Sequence, residues 1–335
     1  CPWRGLACDA HRGLLHLSQA VEGDLMANKI AQGQVKKDQS FQDSPADSAS
    51  LLTRLARAIV LIILIAIAMF PVFWIISLSL RPNSETLGRH PTFLPVKWTL
   101  ENYLQVFGIE VDTERMQQLP FEALMNYISN GAFVAIMVTL IAGILSILAG
   151  YSFSRFEFPG KRFLLISILN TQMFPYIAII IPIYLVYRDL GLINTYSGLI
   201  IAELGLVLPF SIWMMKGFCD TIDRDLEDAA FVEGASRLRV IWSIIVPLIV
   251  PGVAAVSMFS FLASWNHMMY VMLLSTDESI MTVPLGILTR YGGSFQYTYG
   301  LLAAGIVTTT LPVVILFLWL QKYFISGITA GAVKG

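Results

Sequence analysis

The chain has 335 residues, of which 56% are hydrophobic and only 13% charged, with a formal net charge of −1. Soluble globular proteins carry about 25% charged residues, so this composition excludes an ordinary soluble domain. The near-zero charge and the absence of a basic stripe argue against a nucleic-acid partner. The three cysteines, Cys1, Cys8 and Cys219, show neither disulfide-framework nor metal-ligand spacing.

The chain opens on Cys1, and Met26 begins a fresh stretch, Met26-Ala27-Asn28-Lys29. Residues 1–25 lack the long apolar run of a cleavable signal, so translation is expected to start at Met26. Residues 30–50, rich in Gln, Ser and Asp, read as a disordered lead-in. On this reading residues 1–54 are an N-terminal extension and 55–335 a transmembrane domain.

A spanning helix needs about 20 mostly apolar residues, because the hydrocarbon core is about 30 Å thick and each residue rises about 1.5 Å. Six runs meet that requirement, at about 58–80, 131–153, 163–187, 196–215, 247–274 and 300–320. The predicted fold is therefore an all-α integral membrane bundle of six transmembrane helices. The third run carries Pro175 and Pro182, the fourth Glu203 and Pro209, and the sixth Pro312. The fifth is long enough to break near Trp265–His267. Proline leaves a helix carbonyl without its donor, which lipid does not satisfy, so such sites face other helices or a water-filled path. Their number suits a transporter interior better than a simple anchor.

Ahead of the second run, Phe121, Leu124, Met125 and Ile128 recur at helical spacing, the pattern of an amphipathic helix at the outer interface. The rest of 81–120 is mixed in charge and reads as a solvated loop or as a landing surface for an external partner. Placing the N-terminus inside leaves Arg54, Arg57, Arg155, Lys161, Arg162, Lys216, Arg224, Arg237, Arg239, Lys322 and Lys334 on inner segments. Arg81, Arg89, Lys97, Arg115, Arg188 and Arg290 fall outside. The excess of inner cations places both termini in the cytoplasm.

The segment 221–251 lies on the cytoplasmic side without being a span. Thr221, Asp223 or Asp225 can cap a helix there, and the nearby acids suit its positive dipole end. Ala229 and Ala230 allow close approach to another surface, and Gly234 supplies the left-handed residue that ends a helix. A second amphipathic run, Leu238 to Ile245, leads into Pro247. Together they form a cytoplasmic helix-turn-helix between the fourth and fifth spans.

This stretch resembles the EAA loop of ABC importer permeases: Glu-Ala-Ala, three residues, Gly, nine residues, Ile-x-Leu-Pro. Here Asp228-Ala229-Ala230 is followed at the same spacing by Gly234 and then by Ile244-Ile245-Val246-Pro247. Asp replaces Glu at 228 and Val replaces Leu at 246. The resemblance runs from about Leu55 to Gly335. Phe158-Pro159-Gly160-Lys161, Gly191-Leu192-Ile193-Asn194-Thr195, Trp265-Asn266 and the ending Gly327 to Gly335 look like the carbohydrate-uptake branch, in particular the smaller permease subunit of maltose-type transporters. His267 stands where that family often has an acid.

The resemblance implies two ATP-binding subunits gripping Asp228, Ala229, Ala230 and Gly234, a second permease subunit or a copy of this one, and an external solute-binding protein in a prokaryotic inner membrane. ATP and Mg would belong to the ATPase subunits. This chain has no G-x-x-x-x-G-K-[ST] loop, since Gly160-Lys161 precedes Arg162. The cargo is expected to be a di- or oligosaccharide. Sugars call for amides or acids and an aromatic face, so Asn170, Gln172, Glu203, Trp265 and Asn266 are candidates for the substrate path. Glu203 could equally be solvated or bonded within the bundle. A sugar phosphate such as glycerol 3-phosphate is the alternative cargo, though the spans offer no deep cations for it. An ATP-independent secondary carrier is the alternative mechanism. No H-E-x-x-H motif or paired intramembrane acids point to an enzyme.

Overall fold

The computed structural model describes residues 51–86, 92–109, 121–291 and 299–332. The expected start at Met26 and the lead-in at 30–50 lie outside these residues. All regular structure among the described residues is helical.

Helix α1 (Leu51–Ser79) begins earlier than the sequence reading allowed: residues 51–54, assigned to the extension, are its first turn. Nothing from Leu51 to Ala58 breaks a helix, so the cations at 54 and 57 do not end the element. Residues up to Pro71 form one unit and Val72 onward another. In the first unit every residue of α1 from Thr53 is exposed, Ile62 and Ile67 at 65% each. A helix apolar on all faces belongs in lipid or against other apolar helices.

In the second unit, the described parts of the segment after α1, residues 80–86 and 92–109, are tied together by buried polar contacts. Arg81 is buried, donating through Nη2 to Ser77 Oγ at 3.1 Å and to the carbonyls of Thr92 and Phe93 at 2.6 and 3.0 Å. Its guanidinium also lies 5.3 Å from the Trp74 ring centre. Helix α2 (Asn83–Thr86) places Glu85 to accept from the backbone N–H groups of Val96 and Lys97. These donors, Val96 first, hold its carboxyl below the usual carboxylate range. In α3 (Glu101–Val106), Asn102 bonds the carbonyls of Ser79 and Arg81 at 2.9 and 2.7 Å.

Helix α4 (Phe121–Arg155) corrects the reading of a separate interfacial helix. The run at 121–128 continues into the second span, and Leu124 and Tyr127 are buried against Trp265, Val283 and Ile287. Helical periodicity identifies an apolar face but not whether lipid or protein covers it. Gly131, which looked like a boundary, packs 3.6 Å from Val283 instead.

Helix α5 (Lys161–Asn170), a 3-10 turn at Thr171–Met173 and α6 (Tyr176–Asp189) bend by 100°. Phe174 is extended there because the following proline disfavours helical geometry at the residue before it. Helix α7 (Tyr196–Asp220) is capped by Thr195, whose hydroxyl accepts from Gly198 N–H at 3.0 Å. Asn194 ties this corner to the chain near 274–277, its amide oxygen accepting from Thr276 N–H at 2.7 Å.

After α8 (Asp225–Val232) and α9 (Arg237–Val240) comes a π-helical turn at Ile241–Ile245 and a short α10 (Val246–Leu248). The chain then bends by 84° into α11 (Val250–Trp265). Pro251 accounts for that bend, since it lacks the N–H that would continue the ladder. The predicted fifth run of 247–274 ends as a helix at Trp265 and resumes as α12 (Met269–Leu274). Helices α13 (Val283–Tyr291) and α14 (Tyr299–Ala332) complete the chain. Among the described residues, four helices are long and apolar enough to cross a membrane unbroken, and two bent pairs could add to them.

The core is organised along α4, which packs against α7 and α11. Val134 and Val138 meet Leu199, Val207 and Leu274 midway along it, while Ile147 and Tyr151 meet Met215, Ile241 and Ile245 near its C-terminal end. Lipid is as apolar as these side chains, so helix association relies on close packing at small residues. At Gly150 an added Cβ would lie 2.8 Å from the Lys216 backbone nitrogen and 2.9 Å from Met215 Cβ. At Gly217 it would meet nothing within 4 Å. Gly150→Ala is therefore expected to cost about 1–3 kcal/mol through overpacking and to lower the thermal unfolding midpoint of the purified protein, whereas Gly217→Ala should not. Equal midpoints for the two variants would contradict this packing.

Candidate functional site

Between α7 and α11 the chain leaves the bundle and returns, and the Asp228-Ala229-Ala230…Gly234 motif occupies this excursion. Helix α8 has Asp225, Glu227 and Asp228 in its first turn, where the helix dipole favours negative charge. The N-cap is Arg224, without a side-chain capping bond, rather than the expected Thr221, Asp223 or Asp225. Asp223 instead accepts from Asp225 N–H at 3.3 Å.

The far end of α8 follows the expectation closely. Gly234 has φ +85°, its N–H donates to Phe231 O at 3.0 Å, and Ala235 N–H donates to Ala230 O at 3.0 Å. This pair of bonds is a Schellman motif, which satisfies carbonyls that the helix end would leave open. Ser236 then caps α9, its hydroxyl accepting from Arg239 N–H at 3.4 Å.

Glu227 fastens the excursion to the bundle, a role sequence reasoning did not assign. The side chains of Glu227 and Arg155 are 5% and 8% exposed and form an ion pair through Arg155 Nε. The other Glu227 oxygen accepts from the Tyr151 hydroxyl at 2.7 Å. Arg155 also donates to Ile222 O at 2.9 Å and to Ser154 Oγ at 3.2 Å. Ser154 in turn donates to Asp220, which pairs with Lys216 at 2.5 Å. The end of α4, the end of α7 and the start of α8 thus share one network of charged hydrogen bonds. Arg237 adds a stacking contact, lying 4.8 Å from the Phe156 ring centre and 5.8 Å from that of Phe231.

Within the motif, Ala230 turns inward and joins the apolar cluster of Val240, Ile241 and Ile245. Asp228, Ala229 and Gly234 face outward with Val232, which is 89% exposed, and Leu226. The outcome is a rigid, short-sided knob with an apolar tip and acidic flanks.

The path candidates are distributed over several environments. Asn170 is exposed at the end of α5. Gln172 donates from Nε2 to Leu206 O at 2.6 Å, bridging the bend of α5–α6 to α7. Glu203 is buried, with the Ser264 hydroxyl donating to one of its oxygens while the other has no hydrogen-bond partner. Trp265 is buried with its ring stacked on Phe261 at 5.7 Å. Asn266 is exposed and donates to Leu262 O at 2.9 Å, closing the end of α11. The structure therefore brings Glu203 beside Ser264 and ties Gln172 to Leu206 on the same helix.

Comparison with known proteins agrees with this architecture. Residues 142–330 match the family of binding-protein-dependent transport system inner membrane components. The chain is 34% identical over 285 residues to the trehalose/maltose transport system permease protein MalG of Thermococcus litoralis, covering 85% of this chain and 98% of that protein. It is 33% identical over 274 residues to the trehalose transport system permease protein SugB of Mycobacterium tuberculosis, covering 82% and 95%. Among solved structures, a bacterial ABC transporter involved in import of the acidic polysaccharide alginate has a chain of the same fold, with TM-score 0.65 and 24% identity over 82% of this chain and 96% of that one. With the knob, the bundle and these likenesses in place, the chain belongs to the binding-protein-dependent transport inner membrane family, as an ABC importer permease subunit of the carbohydrate-uptake branch.

Proposed function

We propose that this chain forms one half of the membrane pathway of an importer for a neutral di- or oligosaccharide, driven by ATP hydrolysis on two partner subunits. The observation that carries the reading is the outward face of the knob: Asp228, Ala229, Val232 and Gly234 are exposed while Glu227 and Ala230 bind it to the bundle. A surface that is small-sided, exposed and anchored to the bundle by a buried ion pair suits a partner that must push the bundle rather than merely touch it.

On this reading each bent pair is one span, giving six, and residues 55–335 are the transmembrane domain. The excess of inner Lys and Arg supports cytoplasmic termini and a cytoplasmic knob. Closure of the ATPase pair moves the knobs, and the ion pair between Glu227 and Arg155 passes that motion to α4. ATP shifts the bundle only by binding one arrangement more tightly than the other. A second permease subunit stands alongside, and an external binding protein delivers the sugar, as the family's binding-protein dependence supports. The trehalose- and maltose-transporting relatives support a disaccharide cargo.

The test is uptake by the assembled importer in proteoliposomes. ATP-dependent accumulation of maltose or trehalose is expected from the wild type. Gly234→Val should leave hydrolysis in place but lower uptake about tenfold or more, because a β-branched residue resists positive φ. Uptake that persists without ATP would instead favour a secondary carrier, and unimpaired transport by Gly234→Val would remove the knob from the mechanism.

The anchor has its own signature. Arg155→Met leaves the buried Glu227 carboxylate without its counter-charge, a loss of about 3–5 kcal/mol. Tryptic cleavage after Arg224 and Arg237 should then quicken, and the double variant Arg155→Met with Glu227→Met should slow it again. If cleavage rates in the single variant match the wild type, the ion pair does not hold the knob.

A further inference from the structure

The bend between α5 and α6 borders a half-open cavity of about 220 Å³ against α7. Thr171, Gln172, Tyr187, Gly205, Leu206 and Tyr270 are among its walls, and among the described residues no charged side chain lines it. Non-helical backbone inside a membrane is tolerated where it is buried in protein or lines a watered cavity. Here the break at Phe174 lies midway between the ends of a bent pair running from Lys161 to Asp189.

Two features of α7 open its backbone to this space. Pro209 has no N–H, so the carbonyl of Gly205, four residues earlier, lacks its helical donor. Gly205 also has no side chain, and a Cβ added there would meet nothing within 4 Å. A glycine inside a helix costs about 1 kcal/mol relative to alanine, and no close packing requires one here. Opposite, the Gln172 amide is held in place by its bond to Leu206 O. The wall thus offers a carbonyl acceptor, a fixed amide and the Tyr187 phenol amid isoleucines. This mixture suits a molecule with hydroxyl edges and C–H faces, and it gives a phosphate no cation. A volume of about 220 Å³ lies below the range of about 300–1,000 Å³ that drug-sized ligands occupy, which fits one ring rather than two.

We infer that this cavity is a station for a single neutral sugar ring during passage, with Gly205, Gln172 and Tyr187 selecting it. The inference rests on the sugar-importer reading above and assigns to this chain, rather than to its partner permease alone, a direct part in choosing the cargo.

The experiment uses the complete importer in proteoliposomes, with radiolabelled maltose, trehalose and maltotriose as probes and rates normalised to assembled complex. Gly205→Leu fills the cavity and should lower uptake about tenfold or more. Gly217→Leu, on the same helix and also facing open space, should transport normally. Wild-type rates in Gly205→Leu overturn the cavity proposal while the importer reading stands. A wild type that moves none of the probes overturns the sugar reading and the cavity with it. Should Gly205→Leu fail to assemble, Tyr187→Phe decides: the half-saturation concentration should rise about three- to tenfold, and an unchanged value overturns the proposal.

Discussion

The buried pair of Glu227 and Arg155 is the interaction on which the rest of this molecule depends. A carboxylate and a guanidinium removed from water are stable only together and only when their remaining hydrogen-bonding capacity is filled. Tyr151, Ser154 and the Ile222 carbonyl fill it. The pair therefore has a single good geometry, and that geometry fixes the excursion between α7 and α11 to the end of α4. Without it the Asp-Ala-Ala-Gly motif would be a tethered loop. With it, force applied at the knob reaches the helix around which the core is arranged.

The same economy governs the bundle. Its helices gain little by hiding apolar side chains from lipid, so contact depends on backbone approach at Gly150 and at Gly252, where an added Cβ would fall 2.4 Å from the Phe218 ring. Between such tight points the chain is deliberately irregular. The two bends, at Phe174 and at Ile249, both adjoin prolines, and both lie where the bundle meets something it must accommodate: the cavity in one case, the knob in the other. Tight joints and broken helices thus alternate from the knob into the bundle.

Much of this was legible in the residues. Apolar runs located the helices, because lipid leaves few ways to arrange a backbone. The spacing from Asp228 to Pro247 located the knob, and Gly234 foretold the helix end through its steric freedom. Other features depend on pairs far apart in sequence, which no local pattern encodes. Arg155 counted only as one inner cation among many, and Glu227 as one acid in an acidic turn, although they meet across the fold. Periodicity at 121–128 revealed an apolar face but not that Trp265 and Val283 would cover it. Pro175 marked the first bend without giving its angle, and the second bend, at Ile249, was not anticipated beside the break expected near Trp265–His267. Candidates chosen by residue type alone, such as Asn170 and Trp265, proved to occupy unlike surroundings, one exposed and one packed in the core.

The central claim is that the anchored knob is where the ATP-binding subunits push. A photo-crosslinking residue placed at Val232, 89% exposed at the tip of α8, tests it within the assembled complex. Irradiation should join this chain to an ATP-binding subunit, while the same residue at Ile67 in α1 should not. Capture of the ATP-binding subunit from Ile67 but never from Val232 would contradict the account.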